Sequence, residues 1–408
     1  MKINRVILLI TSIALLCLVS SHAMVLPSQT PHSYICENCE YLSHDTLSTH
    51  WPIAPNQLDQ KTLHQQISKK YSATTTFKEL KKGFALYTQA PGAVIRISTL
   101  PPKGSVKSVS QFKPDFYIKT PNSGLLPLQE AAHLIATDEA LSESFFSQNT
   151  QKIFQLKSEL GSGKIILLAK PISGHENERF NIYIFDKFAP TDLVIKTNKA
   201  NYLYEDELIT TITLSDNTSQ YPLDTIEAAL VSPNGEKTPL VLEKHEDNSY
   251  TAKTILLSET NHVGGNWYVE TDVAATVNGY VIKRQANTAF SFALPSAVIK
   301  EIKSSASSPL TFIATVNVAT ASRYALQGVL FTDNLETKKI PLEIIQTSSW
   351  LTPGNHEILF SLASKNPNTT SGKFYLGALE LIDYGQLKPV FTYNRFIPID
   401  MHSQQNAN

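Results

Sequence analysis

A mainly β chain, with a mixed α/β amino-terminal domain followed by two β-sandwich domains, is predicted by three observations. Apolar and polar residues alternate with period two through most of the chain after Leu193. Turn residues interrupt that alternation at short, regular intervals, and helical periodicity is confined to roughly the first 190 positions.

The chain starts with an export signal. Lys2 and Arg5 precede an uncharged run from Val6 to Val19, and Ser21-His22-Ala23 places small residues where a signal peptidase reads. Residues 1–23 are therefore expected to be a signal peptide and the mature chain to be secreted, reaching the outside through the periplasm. The run is too short to span a bilayer and no later stretch has the purity of a spanning helix, so no membrane insertion is expected. Cys17 follows Leu15-Leu16, whereas a lipid-anchored signal wants a small residue directly before its cysteine. The signal carries two of the 35 basic residues and none of the 36 acidic ones, which leaves a net charge of −3. No stretch concentrates Lys or Arg, which argues against nucleic acid and against a polybasic membrane contact as partners.

The first domain is expected over 24–190. Asn56 is placed to cap a helix running through about Tyr71, with Leu63, Ile67 and Tyr71 at four-residue steps. From Ala93 the period changes to two, with Ala93, Ile95 and Ile97 on one face of a half-buried strand that ends at Pro101-Pro102. A second helical stretch is expected from about Leu128 to Phe146. Lys164 to Lys170 and Asn181 to Asp186 then read as buried strands.

Residues 191–294 read as almost pure β. Asn234-Gly235 joins Ile226 to Ser232 with Lys237 to Glu243. Asn278-Gly279 joins a strand through Trp267, Val269 and Thr271 to one through Val281 and Phe292, a hairpin long enough to be the spine of a sandwich. Six or seven short strands in about 100 residues, without the Cys-Trp-Cys set of antibodies, predict an immunoglobulin-like sandwich in architecture only. A second such sandwich is expected over 297–400, where Leu310, Phe312, Ala314, Val316 and Val318 alternate with Thr311, Ile313, Thr315 and Asn317. Further strands are separated by Asp333-Asn334, Pro353-Gly354, Asn366-Pro367 and Tyr384-Gly385. The polar tail 401–408 is expected to be disordered.

Ser322-Arg323-Tyr324, the turn Ser349-Trp350-Leu351-Thr352-Pro353-Gly354, and Phe374-Tyr375-Leu376 leading into Leu379-Glu380-Leu381-Ile382-Asp383 resemble the carboxy-terminal module of an uncharacterised family of exported gammaproteobacterial proteins. Pro233-Asn234-Gly235 and Gly265-Asn266-Trp267-Tyr268-Val269-Glu270 resemble the immunoglobulin-like unit that precedes it. The resemblance spans most of the mature chain and implies an amino-terminal domain followed by two immunoglobulin-like domains. At least one protein of that family is a type II secretion substrate of an intracellular, amoeba-infecting pathogen. The family offers no established catalytic residues to carry over.

The sharpest chemical cluster is His32, Cys36, Cys39, His44 and His50. A thiol pair sent into an oxidising compartment ordinarily becomes a disulfide, and Cys36–Cys39 is the expected pairing. Cys36, Cys39, His44 and His50 as a tetrahedral zinc site is the alternative, with redox chemistry a third reading disfavoured by the Glu37-Asn38 linker. No cofactor is otherwise expected. Gly161-Ser162-Gly163-Lys164 lacks the spacing of a phosphate loop and reads as a tight turn. His175-Glu176 is followed by Arg179 where a zinc protease needs its second histidine. Glu205-Asp206-Glu207 lacks the alternation of a calcium loop, Trp267 is in core phase, and Trp51 and Trp350 lie in turns.

The first functional expectation is a secreted, non-enzymatic interaction or adhesion-type protein, a type II-secreted effector that binds a protein or glycan on a host or other surface. The alternative is a secreted hydrolase with its site in the amino-terminal domain, which holds the helices, the Cys pair and five histidines from His32 to His133. A structural envelope protein is the third reading.

Overall fold

The structure, a computed structural model, describes residues 23–27, 29–54, 64–101, 112–137, 150–257, 265–305, 308–333, 339–361 and 373–399. The chain is mainly β and divides into two compact units, with boundaries after Gln60 and after Leu294.

The unit between those boundaries holds the first two modules. In the first module, a five-stranded antiparallel sheet contains Lys70–Thr76, Arg179–Phe185, Val94–Leu100, Thr150–Leu156 and Ala132–Thr137. It faces a second sheet built around Gly163–Ala169. Ile95, Ile97, Leu167, Phe154, Phe180 and Ile182 are fully buried between the two.

Both helical expectations here are corrected where the chain is described. Gln65–Ser68 and Lys70–Thr76 are strands, while residues 56–63 lie outside the described residues. A four-residue spacing fits period two as well as 3.6, and the run Thr74-Thr75-Thr76 stiffens the backbone toward the extended form. The second helix is a single turn, Leu128–Ala131, before Ala132 turns extended and opens the strand Ala132–Thr137; residues 138–149 lie outside the description. The helix Phe77–Lys82 went unforeseen, although Thr76 and Glu79 form a capping box that ends at Gly83.

The second module is a sandwich. One sheet runs through Tyr250–Ile255, Glu207–Ser215, Asp192–Thr197 and Gln65–Ser68; the other has the hairpin Trp267–Val277 and Tyr280–Ala293 at its centre, flanked by Thr225–Val231. The hairpin is paired in register over its whole length, and Asn278 and Gly279 both take positive φ, as a primed turn needs. At Asn234-Gly235 only the glycine does, and Gly235 N–H donates to Ser232 C=O. Pro233 thus starts an ordinary turn inside a longer loop. Trp267 is buried edge-on to Phe292 at 5.6 Å between ring centres.

The other unit contains the third module, a sandwich of two antiparallel sheets. One is built on Ala297–Ser305, Ser308–Val318 and Gly354–Ser361; the other on Lys339–Leu351, Ser322–Asp333, Phe374–Asp383 and Lys388–Tyr393. The first described residues join this module rather than the first. Ala23–Val25 pairs with Ala297–Ser305 at the edge of one sheet, and Leu47–Pro52 pairs with Lys339–Leu351 at the edge of the other. The domain expected over 24–190 therefore loses its first part. Residues 23–27 and 29–53 form a strap that covers two open edges, which would otherwise invite pairing with other chains.

Candidate functional site

In the strand Trp267–Val277 every second residue, from Trp267 to Val277, enters the core, so Glu270 and Asp272 face outward. Register places Asn287 opposite Glu270 and Gln285 opposite Asp272, and on the other side Glu227 lies beside Asp272. These outward polar residues form one wall of a groove. Lys70, Ser72 and Tyr183 from the first module form the other, and the open groove between them has a volume of about 860 Å³. Ile226, Pro239, Leu240 and Leu242 add an apolar portion.

Two sets of bonds fix these walls. Gln285 Oε1 accepts from Ser72 N–H at 2.8 Å and from the Ser72 hydroxyl at 2.9 Å, while its Nε2 donates to Ser72 C=O and to Asp272. Deeper down, Asp186 and Arg284 form an ion pair at 3.1 Å with both side chains 1% exposed. Asp186 also accepts from Gln89 N–H at 2.7 Å and Ala90 N–H at 3.2 Å, and Arg284 Nη1 donates to Lys283 C=O. Burial pulls the guanidinium below its ordinary value, and the Asp186 charge opposes that shift.

Inside the groove the charges nearly balance. Lys237 is paired to Glu270 at 2.6 Å. Lys70 Nζ lies 6.0 Å and the Arg96 guanidinium 5.2 Å from the centre of the Tyr183 ring. Burial raises the Tyr183 phenol above its usual range against the Arg96 charge, so it stays protonated and can donate. Among the described residues, the Tyr183 hydroxyl, the Glu227 carboxylate and the Asn287 amide make no hydrogen bond within the chain. The arrangement can hold a polar ligand through hydroxyl, amide and carboxylate groups.

The cysteines marked by the sequence lie elsewhere. Cys36 and Cys39 form a disulfide within the strap, so neither sulfur is a free thiolate. His44 stacks on Trp350 at 4.0 Å, and His50 sits on the edge strand opposite Ile345. No group of three or more metal-ligating side chains occurs among the described residues. Cys39 Sγ instead rests 3.4 Å from Ser322 Oγ, next to a carboxylate that went unsuspected. Asp383 is fully buried. It accepts from the hydroxyls of Ser296 and Ser322, each at 2.6 Å, and of Tyr34 at 2.9 Å, from Gly385 N–H at 2.8 Å and from Gln386 Nε2 at 3.1 Å. The Ser322 proton is committed to this carboxylate and its oxygen accepts from Gly385 N–H, so the cluster ties the strap to the module as a structural knot. Burial, then the Asp383 charge, holds the Tyr34 phenol far above its usual range.

The remaining motifs have ordinary roles. Gly161 and Gly163 take positive φ in the turn that opens Gly163–Ala169. Glu176 pairs with Lys81 at 2.8 Å, His175 stacks on Phe112, and Asp206 pairs with Lys199 at 2.9 Å. No helix among the described residues is long and apolar enough to cross a membrane.

Fold and groove define the molecule as a modular β-sandwich protein with a polar groove in one of its two units. The chain belongs to the DUF4785 family, a family of unknown function. Its N-terminal, central and C-terminal domains match residues 38–186, 189–293 and 296–400. A DUF4785 family protein from Legionella pneumophila subsp. pneumophila str. Philadelphia 1, known from a crystal structure, is 39% identical. The match covers 92% of this chain and 99% of that one with a TM-score of 0.76. A tetra-tandem repeat from the extending region of a large adhesion protein is 11% identical over 88% of this chain and 83% of its own, with a TM-score of 0.20 that carries no argument. No curated protein matches the sequence.

Proposed function

We propose that this chain is a secreted, non-enzymatic binding protein, exported by the type II route as an effector that engages a component of a host or other surface. The observation that carries the reading is the groove, whose walls are held by a buried ion pair and by the Gln285–Ser72 bonds while the Tyr183 hydroxyl, the Glu227 carboxylate and the Asn287 amide are left without a hydrogen-bond partner among the described residues. A rigid frame around open hydrogen-bonding groups is the arrangement of a preorganised binding site. Export is supported by the basic, apolar and small-residue sequence of residues 1–23.

The test has two arms. A tagged full-length chain is followed in cells and medium of the producing bacterium with and without its type II machinery, and the purified mature chain is titrated onto cultured eukaryotic cells. Release that depends on the machinery, together with saturable cell binding, is expected. Retention with the bacterial envelope, or hydrolysis of a polymer substrate, would overturn the proposal.

A further inference from the structure

We infer that the groove takes a neutral, hydroxyl-rich ligand, a short oligosaccharide chain, an inference that rests on the binding role proposed above. Three observations narrow the ligand to this class. First, charge: three carboxylates, Glu227, Glu270 and Asp272, line the groove against two ammonium groups, and one of these, Lys237, is already paired to Glu270. An anionic polymer would meet more negative than positive charge there, and a strongly cationic one would have to share the wall with Lys70 and Lys237.

Second, backbone: the wall of the second module is the face of a sheet, and the strands Thr225–Val231, Trp267–Val277 and Tyr280–Ala293 spend their backbone groups on one another. An extended peptide gains affinity by adding to a free strand edge; a sheet face offers none, and on the opposite wall the edge strand Lys70–Thr76 has the N–H and C=O of Ser72 taken by Gln285 and the N–H of Lys70 taken by the Ser68 hydroxyl. Recognition must therefore come from side chains.

Third, donor and acceptor types: among the described residues the free groups are a phenol, an amide and the Glu227 carboxylate, with the Lys70 ammonium at one side. An amide and a carboxylate each bind neighbouring hydroxyls in pairs, and a neutral hydroxyl both donates and accepts, so such a ligand satisfies every one of these groups without bringing a charge. The half-buried Tyr183 ring and the apolar portion around Leu240 and Leu242 offer contact for the less polar face of a sugar. The volume, about 860 Å³, falls in the range of about 300–1,000 Å³ usual for small-ligand sites, enough for a chain of a few sugar units.

The experiment applies the mature full chain to an array of neutral oligosaccharides, with sulfated glycans and acidic and basic peptides alongside, and follows the binders by titration calorimetry. Saturable binding to a neutral series is expected, changing less than twofold between 0.05 and 0.5 M salt, although the Debye length shortens about threefold, because no net charge is neutralised. Tyr183→Ala and the exposed Asn287→Ala are each expected to weaken it at least fivefold. Asn287→Ala serves as the second variant because its melting temperature is expected to match that of the unaltered chain. Binding to no neutral glycan, or only to sulfated glycans or peptides with steep salt dependence, overturns the inference, as does neutral-glycan binding indifferent to both variants. Cell binding that survives both variants and enzymatic removal of surface glycans sinks this inference and leaves the binding role standing. Glycan binding without cell binding does the reverse.

Discussion

Each unit buries an aspartate, and the two are neutralised in opposite ways. Asp186 faces a guanidinium, and its other partners are the N–H groups of Gln89 and Ala90, all donors that cannot become acceptors. Asp383 is reached mainly by hydroxyls and a side-chain amide, groups that turn from donor to acceptor by rotating a bond or flipping. The first site fixes the walls of the groove through one set of roles. The second fastens the strap and tolerates a change of roles. A binding site gains from the former, since its frame has no second arrangement to relax into.

The largest expected effect tests that rigidity. Asp186→Asn keeps shape but leaves Arg284 buried without its counter-charge and turns an NH2 group toward donors. A loss of about 3–5 kcal/mol is expected for the unit that contains it. Urea unfolding followed by fluorescence measures it, and a loss under about 1 kcal/mol would remove the contrast between the two aspartates.

Much of this architecture could be read from the sequence, because alternation is a local signal. Glu270 and Asp272 stand at outward positions of a strand whose inward residues were already assigned to a core, so one wall of the groove was legible in principle. The opposite wall was not. Lys70 and Ser72 belong to a strand whose four-residue spacing reads equally as helix, and Arg284 is a charged residue at a core position, which alternation can only register as an anomaly. The strap was hidden for a different reason. Tyr34 donates to a residue 349 positions away, and Cys39 meets Ser322 across 283, so no window of neighbouring residues contains both partners. Histidines near the cysteines suggested a metal, whereas the surroundings of Cys39 come from the far end of the chain.

A second expected effect concerns pH in the third module. Lys388 is 3% exposed, and burial pushes its ammonium down to about 8. A base whose folded pKa lies below its unfolded value of about 10.4 binds more protons when unfolded, so stability rises with pH across the window between the two. Tyr34 and Tyr324 work the other way. Burial raises both phenols, so the unfolded chain loses their protons first and stability falls once pH passes about 10. The module should therefore be most stable near pH 10, with a gain of about 2 kcal/mol from pH 8 that Lys388→Met abolishes. Flat stability across that interval, or a rise that persists in the variant, would remove Lys388 from the account.

The strap supplies the third comparison, since it closes a module by contact rather than by charge. A Cβ at Gly385 would overlap the Tyr34 hydroxyl, the Cys39 sulfur and the Ser322 hydroxyl. Gly385→Ala is expected to cost about 2 kcal/mol by forcing these groups apart. Its signature is faster hydrogen exchange at Ala23–Val25 and Leu47–Pro52, with the other unit unchanged. Unaltered protection of both strap strands would mean that the knot does not hold them.

The smallest expected effect, at Asp383, completes the contrast with Asp186. In Asp383→Asn the amide oxygen can take the place of Oδ1, where the fixed Gly385 N–H and the Ser322 hydroxyl already donate. The new NH2 then lies where Oδ2 stood, facing Tyr34, Ser296 and Gln386. The Tyr34 and Ser296 oxygens can accept its two N–H bonds, and a flip of the Gln386 amide lets its oxygen accept from the Ser296 hydroxyl, which it already meets at 3.2 Å. The reversible groups re-pair around the two N–H bonds, and only the freed Tyr34 proton is left to a weak acceptor, the Cys39 sulfur at 3.8 Å, so the loss is expected to be only about 1 kcal/mol, against about 3–5 kcal/mol for the same substitution at Asp186. Paired unfolding curves for the two variants decide the matter. Equal losses would show that burial of the carboxylate, and not the reversibility of its partners, sets the cost.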